Sequence, residues 1–80
     1  MNIVKTDIPD VFIVEPAVFG DARGFFFESF NQRVWFEKTG LNKAFVQDNQ
    51  SHSEKHVLRG LHYQIRQPQG KLIRVLQGRI

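Results

Sequence analysis

Short runs of apolar residues, separated by glycine, proline and polar residues, recur along the 80-residue chain. Apolar runs of about four to eight residues bounded by turn residues favour β-strands over helices, which need longer periodic segments. We therefore predict a mainly β fold, in which a further strand begins at Ile80. The predicted strands cover residues 11–14, 25–30, 45–51, 57–64 and 71–77, with a shorter apolar pair at 18–19.

Gly20 and Gly24 enclose Asp21 and Arg23 between the apolar pair 18–19 and the run 25–30. A short glycine-flanked segment between two apolar runs is typical of a β-hairpin, with Arg23 in its turn. Along the second strand the side chains should alternate between the faces of the sheet. This alternation places Phe25, Phe27 and Ser29 on one face and Phe26, Glu28 and Phe30 on the other.

One short helix is predicted near residues 31–40. Asn31 is a favourable N-cap, Lys38 lies in the last turn, and Gly40 suits the left-handed residue that follows a helix. A helix this short is marginal by itself, so tertiary packing must hold it. The side chains expected to provide that packing are Val34, Trp35 and Phe36.

Evenly spaced short strands favour a sandwich, a jelly roll or a barrel. Five strands and one helix would form only part of a jelly roll, and a strand starting at Ile80 would leave an open sheet edge. The strand pattern leaves these three architectures open and indicates that the domain is truncated.

The amino-acid composition and charge of the chain limit the kinds of site and partner that we expect. The absence of cysteine excludes disulfides and thiolate zinc sites, and the first residues lack the long apolar run of a signal peptide or membrane span. We expect a cytoplasmic protein without membrane partners. A net charge of +3 and a pI of about 9.7 suit a phosphorylated small molecule, although a truncated charge balance explains them equally well. The basic residues do not cluster, so a nucleic-acid partner is not expected.

The segment around His62 is the first candidate for chemistry. A histidine with Arg59 three residues before it suits a base beside an anion clamp, whereas a lone histidine is more often a packed surface residue. A regular strand would point these two side chains to opposite faces. Gly60 lies between them, and glycine in a strand often marks a bulge. We predict a bulge at Gly60 that brings Arg59 and His62 to one face.

Other polar side chains could join such a site. Lys71 opens a predicted strand directly after a turn, so its ammonium can reach a cavity mouth or remain solvated. Beside His62 on a neighbouring strand it would be a candidate oxyanion stabiliser. Gln47 and Asn49 share a strand face that is either solvated or lines a sugar pocket. Arg23 in its turn can contact a phosphate with its planar fork.

No metal site is expected. His52 and His56 flank Glu54 at helical metal-pair spacing, but the surrounding segment has the composition of a loop. The sequence also lacks the glycine-rich loops that hold nucleotide phosphates in P-loop and dinucleotide-binding proteins.

Four segments together resemble the dTDP-4-dehydrorhamnose 3,5-epimerase family, and they occur in that family's order and spacing. They are Glu15-Pro16 with Phe19-Gly20-Asp21-Ala22-Arg23-Gly24-Phe25-Phe26-Phe27-Glu28, Phe45-Val46-Gln47-Asp48-Asn49, Val57-Leu58-Arg59-Gly60-Leu61-His62-Tyr63-Gln64, and Gln69-Gly70-Lys71-Leu72. The resemblance implies that residues 1–80 are the N-terminal part of a single, truncated jelly-roll barrel domain of the cupin type. Members of this family are more than twice this long and act as homodimers. Metal-binding cupins usually carry a His-x-His pair, and Gln64 replaces its second histidine here, which again predicts no catalytic metal.

The resemblance also implies a reaction and a set of residue roles. The expected substrate is dTDP-4-dehydro-6-deoxy-D-glucose, converted to dTDP-4-dehydro-L-rhamnose without a cofactor. His62 matches the family's base and Lys71 its enolate-stabilising lysine. Arg23 and Arg59 match diphosphate contacts, Gln47 and Asn49 match pocket-lining positions, and Phe19, Phe26 and Glu28 match nucleotide-side contacts.

Two groups that the family uses are not found among the 80 residues. Tyr63 adjoins His62 and points the other way, so it cannot supply the family's acid tyrosine, and the aspartate that orients the base is expected beyond Ile80. We therefore expect the 80-residue chain alone to be inactive. Two further interpretations stay open: a related dTDP-sugar 3- or 5-epimerase or ketoisomerase, and a non-catalytic nucleotide-sugar-binding fragment.

Overall fold

The computed structural model describes residues 1–80 and divides them into two units, Met1–Asn49 and Gln50–Ile80. All regular secondary structure lies in the first unit, which confirms a mainly β chain with one short helix. In chain order its elements are β1 (Asn2–Lys5), β2 (Phe12–Glu15), β3 (Val18–Asp21), β4 (Gly24–Phe27) and α1 (Gln32–Thr39).

Strands β1 and β2 form a two-stranded antiparallel sheet in which Ile3 lies opposite Val14. The connection between them is closed by Thr6, whose hydroxyl donates a 2.6 Å hydrogen bond to the carbonyl of Val11. Strand β1 was not predicted, although Ile3 and Val4 are β-branched residues that favour strands. Two such residues are too few to establish an alternating pattern.

Strands β3 and β4 form the predicted hairpin, and Phe19 pairs with Phe26 across it. Asp21 pairs with Gly24, which leaves a two-residue turn. The rings of Phe25 and Phe27 stack with centroids 6.0 Å apart, which confirms that they share a face. The strand ends at Phe27, three residues earlier than the predicted end at residue 30.

The helix α1 has the predicted caps. The Asn31 side chain accepts a 3.1 Å hydrogen bond from the backbone N–H of Val34, and Gly40 has a φ of 71° in the left-handed region. The N–H of Gly40 donates to the carbonyl of Phe36 at 2.8 Å, which closes the last turn. At eight residues, α1 is neither long nor apolar enough to cross a membrane.

Trp35 is the centre of a small aromatic core. It is the only buried hydrophobic side chain, at 6% exposure. The centroid of its ring system lies 5.8 Å from the ring centroid of Phe12, 6.1 Å from that of Phe30 and 5.4 Å from that of Phe45. Phe36, which the sequence also assigned to packing, is 47% exposed and contributes little.

The strands predicted at 45–51, 57–64 and 71–77 are absent, and so is the bulge predicted at Gly60. Residues 50–80 contain one backbone-to-backbone hydrogen bond, from Val57 to Glu54 at 3.2 Å. Their apolar side chains are exposed, with Leu61 fully so and Leu58 at 89%. A strand needs a neighbour for its N–H and C=O groups, and alternation in one segment does not supply that neighbour. Residues 1–80 consequently form no closed barrel.

Replacing Trp35 with alanine is expected to lower the free energy of unfolding of the first unit by about 3–5 kcal/mol, the usual cost of truncating a buried tryptophan. Far-UV circular dichroism during denaturant unfolding measures this loss. Phe36→Ala on the same helix is the matched control, with an expected loss of about 1 kcal/mol or less. Equal losses in the two variants would contradict an aromatic core centred on Trp35.

Candidate functional site

The turn between β3 and β4 carries a well-formed ion pair between Asp21 and Arg23. Nη2 of Arg23 donates to Oδ2 of Asp21 at 2.6 Å, and Nε lies 3.2 Å from Oδ2 and 3.3 Å from Oδ1. The backbone N–H of Arg23 also donates to Oδ1 at 2.8 Å. Both side chains are exposed, at 90% for Arg23 and 52% for Asp21. The turn therefore presents an oriented guanidinium to solvent.

This pairing shifts the pKa of both groups. The side-chain hydrogen bond from Arg23, followed by its backbone N–H, lowers the pKa of Asp21, and the same contact raises the pKa of Arg23. Because the carboxyl pKa is lowered on folding, the stabilisation is present above the ordinary carboxyl pKa and is lost as pH falls through the lowered value. The pair is thus fully ionised at neutral pH.

A shallow depression of about 270 Å³ lies beside this ion pair on the hairpin. Three of the residues predicted to bind substrate, Phe19, Arg23 and Phe26, line it together with Asp21. The cross-strand register brings the two aromatic side chains together, and they are 66% and 71% exposed. Exposed aromatic faces beside a guanidinium suit a ligand with a ring and a phosphate.

The other predicted substrate contacts of the first unit do not line this depression. Glu28 accepts a 3.4 Å hydrogen bond from the side chain of Asn31, just before α1. Gln47 donates to the side-chain oxygen of Asn49 at 3.3 Å, and both residues are exposed. The contact between these amides agrees with their predicted common face, although no strand holds them.

The second unit carries the two predicted catalytic residues without assembling them. Lys71 Nζ donates to the side-chain oxygen of Gln69 at 2.6 Å, and Arg59 donates to the carbonyl of His52 at 2.7 Å. His62 is exposed. Arg59 and Lys71 donate to His52 and Gln69 and not to His62, so hydrogen bonds do not join the three predicted residues in residues 50–80.

The sequence analysis used Asp21 only as a turn residue and did not predict it as a site residue, whereas the structure shows it to be the main partner of Arg23. The available signal was an aspartate two residues before an arginine within a glycine-flanked turn. A larger depression of about 520 Å³ at the β1–β2 connection is lined by none of the predicted site residues. The ring of His52 lies 3.2 Å from Glu54, but no group of three potential ligands converges on a metal position.

Comparison with known proteins adds independent information. A sequence model described as dTDP-4-dehydrorhamnose 3,5-epimerase matches residues 5–80. The chain is similar to proteins of that name from Shigella flexneri, at 60% identity over 81 residues, and from Pseudomonas aeruginosa, at 59% over 80. A third, from Methanothermobacter thermautotrophicus, is 51% identical over 79 residues.

These three alignments cover 100%, 100% and 99% of this chain, but 45%, 44% and 42% of the relatives. The chain thus spans less than half the length of the curated relatives it matches. No solved structure matches it.

Proposed function

The chain belongs to the dTDP-4-dehydrorhamnose 3,5-epimerase family, and on that premise we propose that it serves the cofactor-free conversion of dTDP-4-dehydro-6-deoxy-D-glucose to dTDP-4-dehydro-L-rhamnose. The observation that carries the proposal is the 60% identity to a protein of that name across the whole chain. It is supported by the hairpin depression, which gathers three of the residues assigned to nucleotide binding.

The proposed chemistry follows from the keto group of the substrate. A 4-keto group acidifies the C–H bonds on both flanking carbons, so a positioned base can remove those protons in turn. His62 is assigned as that base, because imidazole is the side chain most often used for proton transfer near neutral pH. Negative charge then develops on the keto oxygen, and the ammonium of Lys71 stabilises it. A separate acid completes the epimerisation when it returns a proton to the opposite face of the same carbon.

The nucleotide is proposed to bind at the β3–β4 hairpin. Phe19 and Phe26 offer exposed aromatic faces to the base or sugar, and Arg23 offers hydrogen-bond donors to the diphosphate. Arg59 is assigned to the same diphosphate in the assembled enzyme. The remaining polar contacts assigned to the substrate are Glu28, Gln47 and Asn49.

Assembly of this site requires the strands that residues 1–80 do not form. We propose that segments 45–51, 57–64 and 71–77 pair within a complete jelly-roll barrel, where exposed side chains such as Leu58 and Leu61 become covered. The same barrel would hold His62 and Lys71 across one cavity. Homodimerisation and a cytoplasmic location also belong to this proposal.

Proton exchange in heavy water tests the proposed reaction. The protein expressed from its native gene is incubated with the 4-dehydro sugar nucleotide, and deuterium incorporation at C3 and C5 is followed by NMR. Incorporation at both carbons with formation of the L-rhamno product is expected. Exchange at only one carbon would identify a 3- or 5-epimerase. Migration of the keto group would identify a ketoisomerase, and binding of the sugar nucleotide without exchange would identify a nucleotide-sugar-binding protein. The isolated 80-residue chain is expected to show none of these turnovers.

Removing the Arg23 guanidinium is expected to weaken dTDP binding. Arg23→Ala should raise the Kd by about tenfold or more, since hydrogen bonds to charged groups are worth more than neutral ones. Isothermal titration of dTDP into the natively expressed protein measures the change. Arg33→Ala is the matched control, because Arg33 forms a similarly exposed ion pair, 2.9 Å from Glu37 on α1. An unchanged Kd in Arg23→Ala would remove this residue from the proposed site.

A further inference from the structure

The ion pair in the β3–β4 turn engages one edge of the Arg23 guanidinium and leaves another free. Asp21 accepts from Nε and Nη2, the pair of donors along the side of the guanidinium. The second terminal nitrogen, Nη1, has no protein acceptor, and the side chain is 90% exposed. The Nη1–Nη2 edge therefore faces solvent with a defined orientation.

A guanidinium held in a fixed orientation is pre-organised to bind an anion. Arginine has a long side chain that loses much rotational freedom when it binds a ligand, so fixing its orientation beforehand lowers the cost of binding. Asp21 fixes it with two carboxylate oxygens, and the backbone N–H of Arg23 fixes the carboxylate in turn. Phosphate oxygens prefer the two-donor edge of a guanidinium, and such an edge is left open here.

We propose that Asp21 is a positioning residue for nucleotide-diphosphate binding, which it promotes by holding the Arg23 guanidinium, beside the depression that Arg23 lines with Phe19 and Phe26, with its Nη1–Nη2 edge free. The inference rests on the proposed function, because it takes the diphosphate of a nucleotide sugar as the ligand. Asp21 itself does not contact the ligand. Its effect therefore passes entirely through Arg23.

The negative charge of Asp21 acts in the opposite direction, since it repels a diphosphate. This repulsion is weak because both side chains are exposed to water, whose high dielectric constant reduces the interaction between charges. The carboxylate also partly neutralises the positive charge of the guanidinium, but the guanidinium keeps the two hydrogen-bond donors of its open edge. Orientation therefore outweighs repulsion, and removing the carboxylate weakens binding.

Four variants of the natively expressed protein test the inference: Asp21→Asn, Asp21→Glu, Arg23→Ala and the Asp21→Asn/Arg23→Ala double variant. Asp21→Asn should raise the Kd for dTDP by about two- to fivefold, the range for an exposed ion pair. It should raise KM for the sugar nucleotide equally and leave kcat unchanged. Asp21→Glu keeps a carboxylate within reach of the guanidinium and should restore binding to within about twofold of the original protein. Glu37→Gln, which breaks the matched ion pair with Arg33 on α1, should change neither the Kd for dTDP nor the KM for the sugar nucleotide.

The double variant separates positioning from other roles. If Asp21 acts through Arg23, the asparagine substitution has no further effect once Arg23 is alanine. The same two- to fivefold loss in that background, or tighter binding in Asp21→Asn, would overturn the inference. An unchanged Kd in Asp21→Asn beside a clear loss in Arg23→Ala would overturn it while leaving the proposed function intact. Failure of the unsubstituted protein to bind dTDP would instead overturn the proposed function.

Discussion

Replacing His62 with alanine should lower kcat for epimerisation by about 10²- to 10⁴-fold, the usual contribution of a positioned general base. The substitution removes the only group assigned to take the sugar protons, so deuterium exchange at C3 and C5 should fall together. The melting temperature of the variant is compared with that of the unsubstituted protein, so that a loss of rate without a loss of stability is assigned to the chemistry. Rates are measured on the natively expressed protein with the 4-dehydro sugar nucleotide.

His56→Ala is the matched control for this variant. His56 is also exposed, lies six positions earlier in the same unit, and has no assigned role. Its replacement should leave both kcat and KM unchanged. Full activity in His62→Ala, or exchange lost at one carbon only, would show that another side chain removes at least one of the protons.

Replacing Lys71 with methionine should lower kcat by about 10²- to 10³-fold, the range measured when one oxyanion donor is removed. Methionine keeps most of the aliphatic length and removes the ammonium that is assigned to the enolate oxygen. Because that charge exists only after proton removal, kcat and kcat/KM should fall together while dTDP binding stays constant. Steady-state kinetics and dTDP titration distinguish these quantities.

Lys55→Met provides the control, since it removes an exposed ammonium from the same unit without an assigned role. A rise in KM with unchanged kcat in Lys71→Met would assign Lys71 to substrate binding. The structure already shows that this ammonium has another partner within reach, because it donates to Gln69 at 2.6 Å. In the proposed reaction, Lys71 exchanges that partner for the enolate oxygen.

Local features of the first unit follow directly from its sequence. The helix lies at the predicted position because its capping signals act within a few residues: Asn31 bonds to Val34, and Gly40 adopts the left-handed conformation. The β3–β4 hairpin is equally local, since two residues suffice to turn the chain before Gly24. Such interactions close without help from distant parts of the chain.

Predictions from the sequence were less reliable for strands, which depend on pairing with residues far away in the chain. The alternating segments beyond residue 44 have the composition of strands, but residues 50–80 contain almost no backbone pairing. Phe45, assigned to a strand, instead packs its ring against Trp35 and Phe30. For the same reason the predicted meeting of His62 and Lys71 stays a prediction, because it depends on neighbouring strands.

The sequence by itself determined the family, the helix with its caps, and the hairpin that carries Arg23, because these depend on residue identity and on contacts between near neighbours. Only the tertiary structure decided that Trp35 alone is buried, that Phe19, Phe26 and Arg23 line one depression, and that Asp21 holds the guanidinium. These features arise from cross-strand register and side-chain geometry. Periodicity shows which face a residue occupies, whereas the partner on that face is set by how the elements pack.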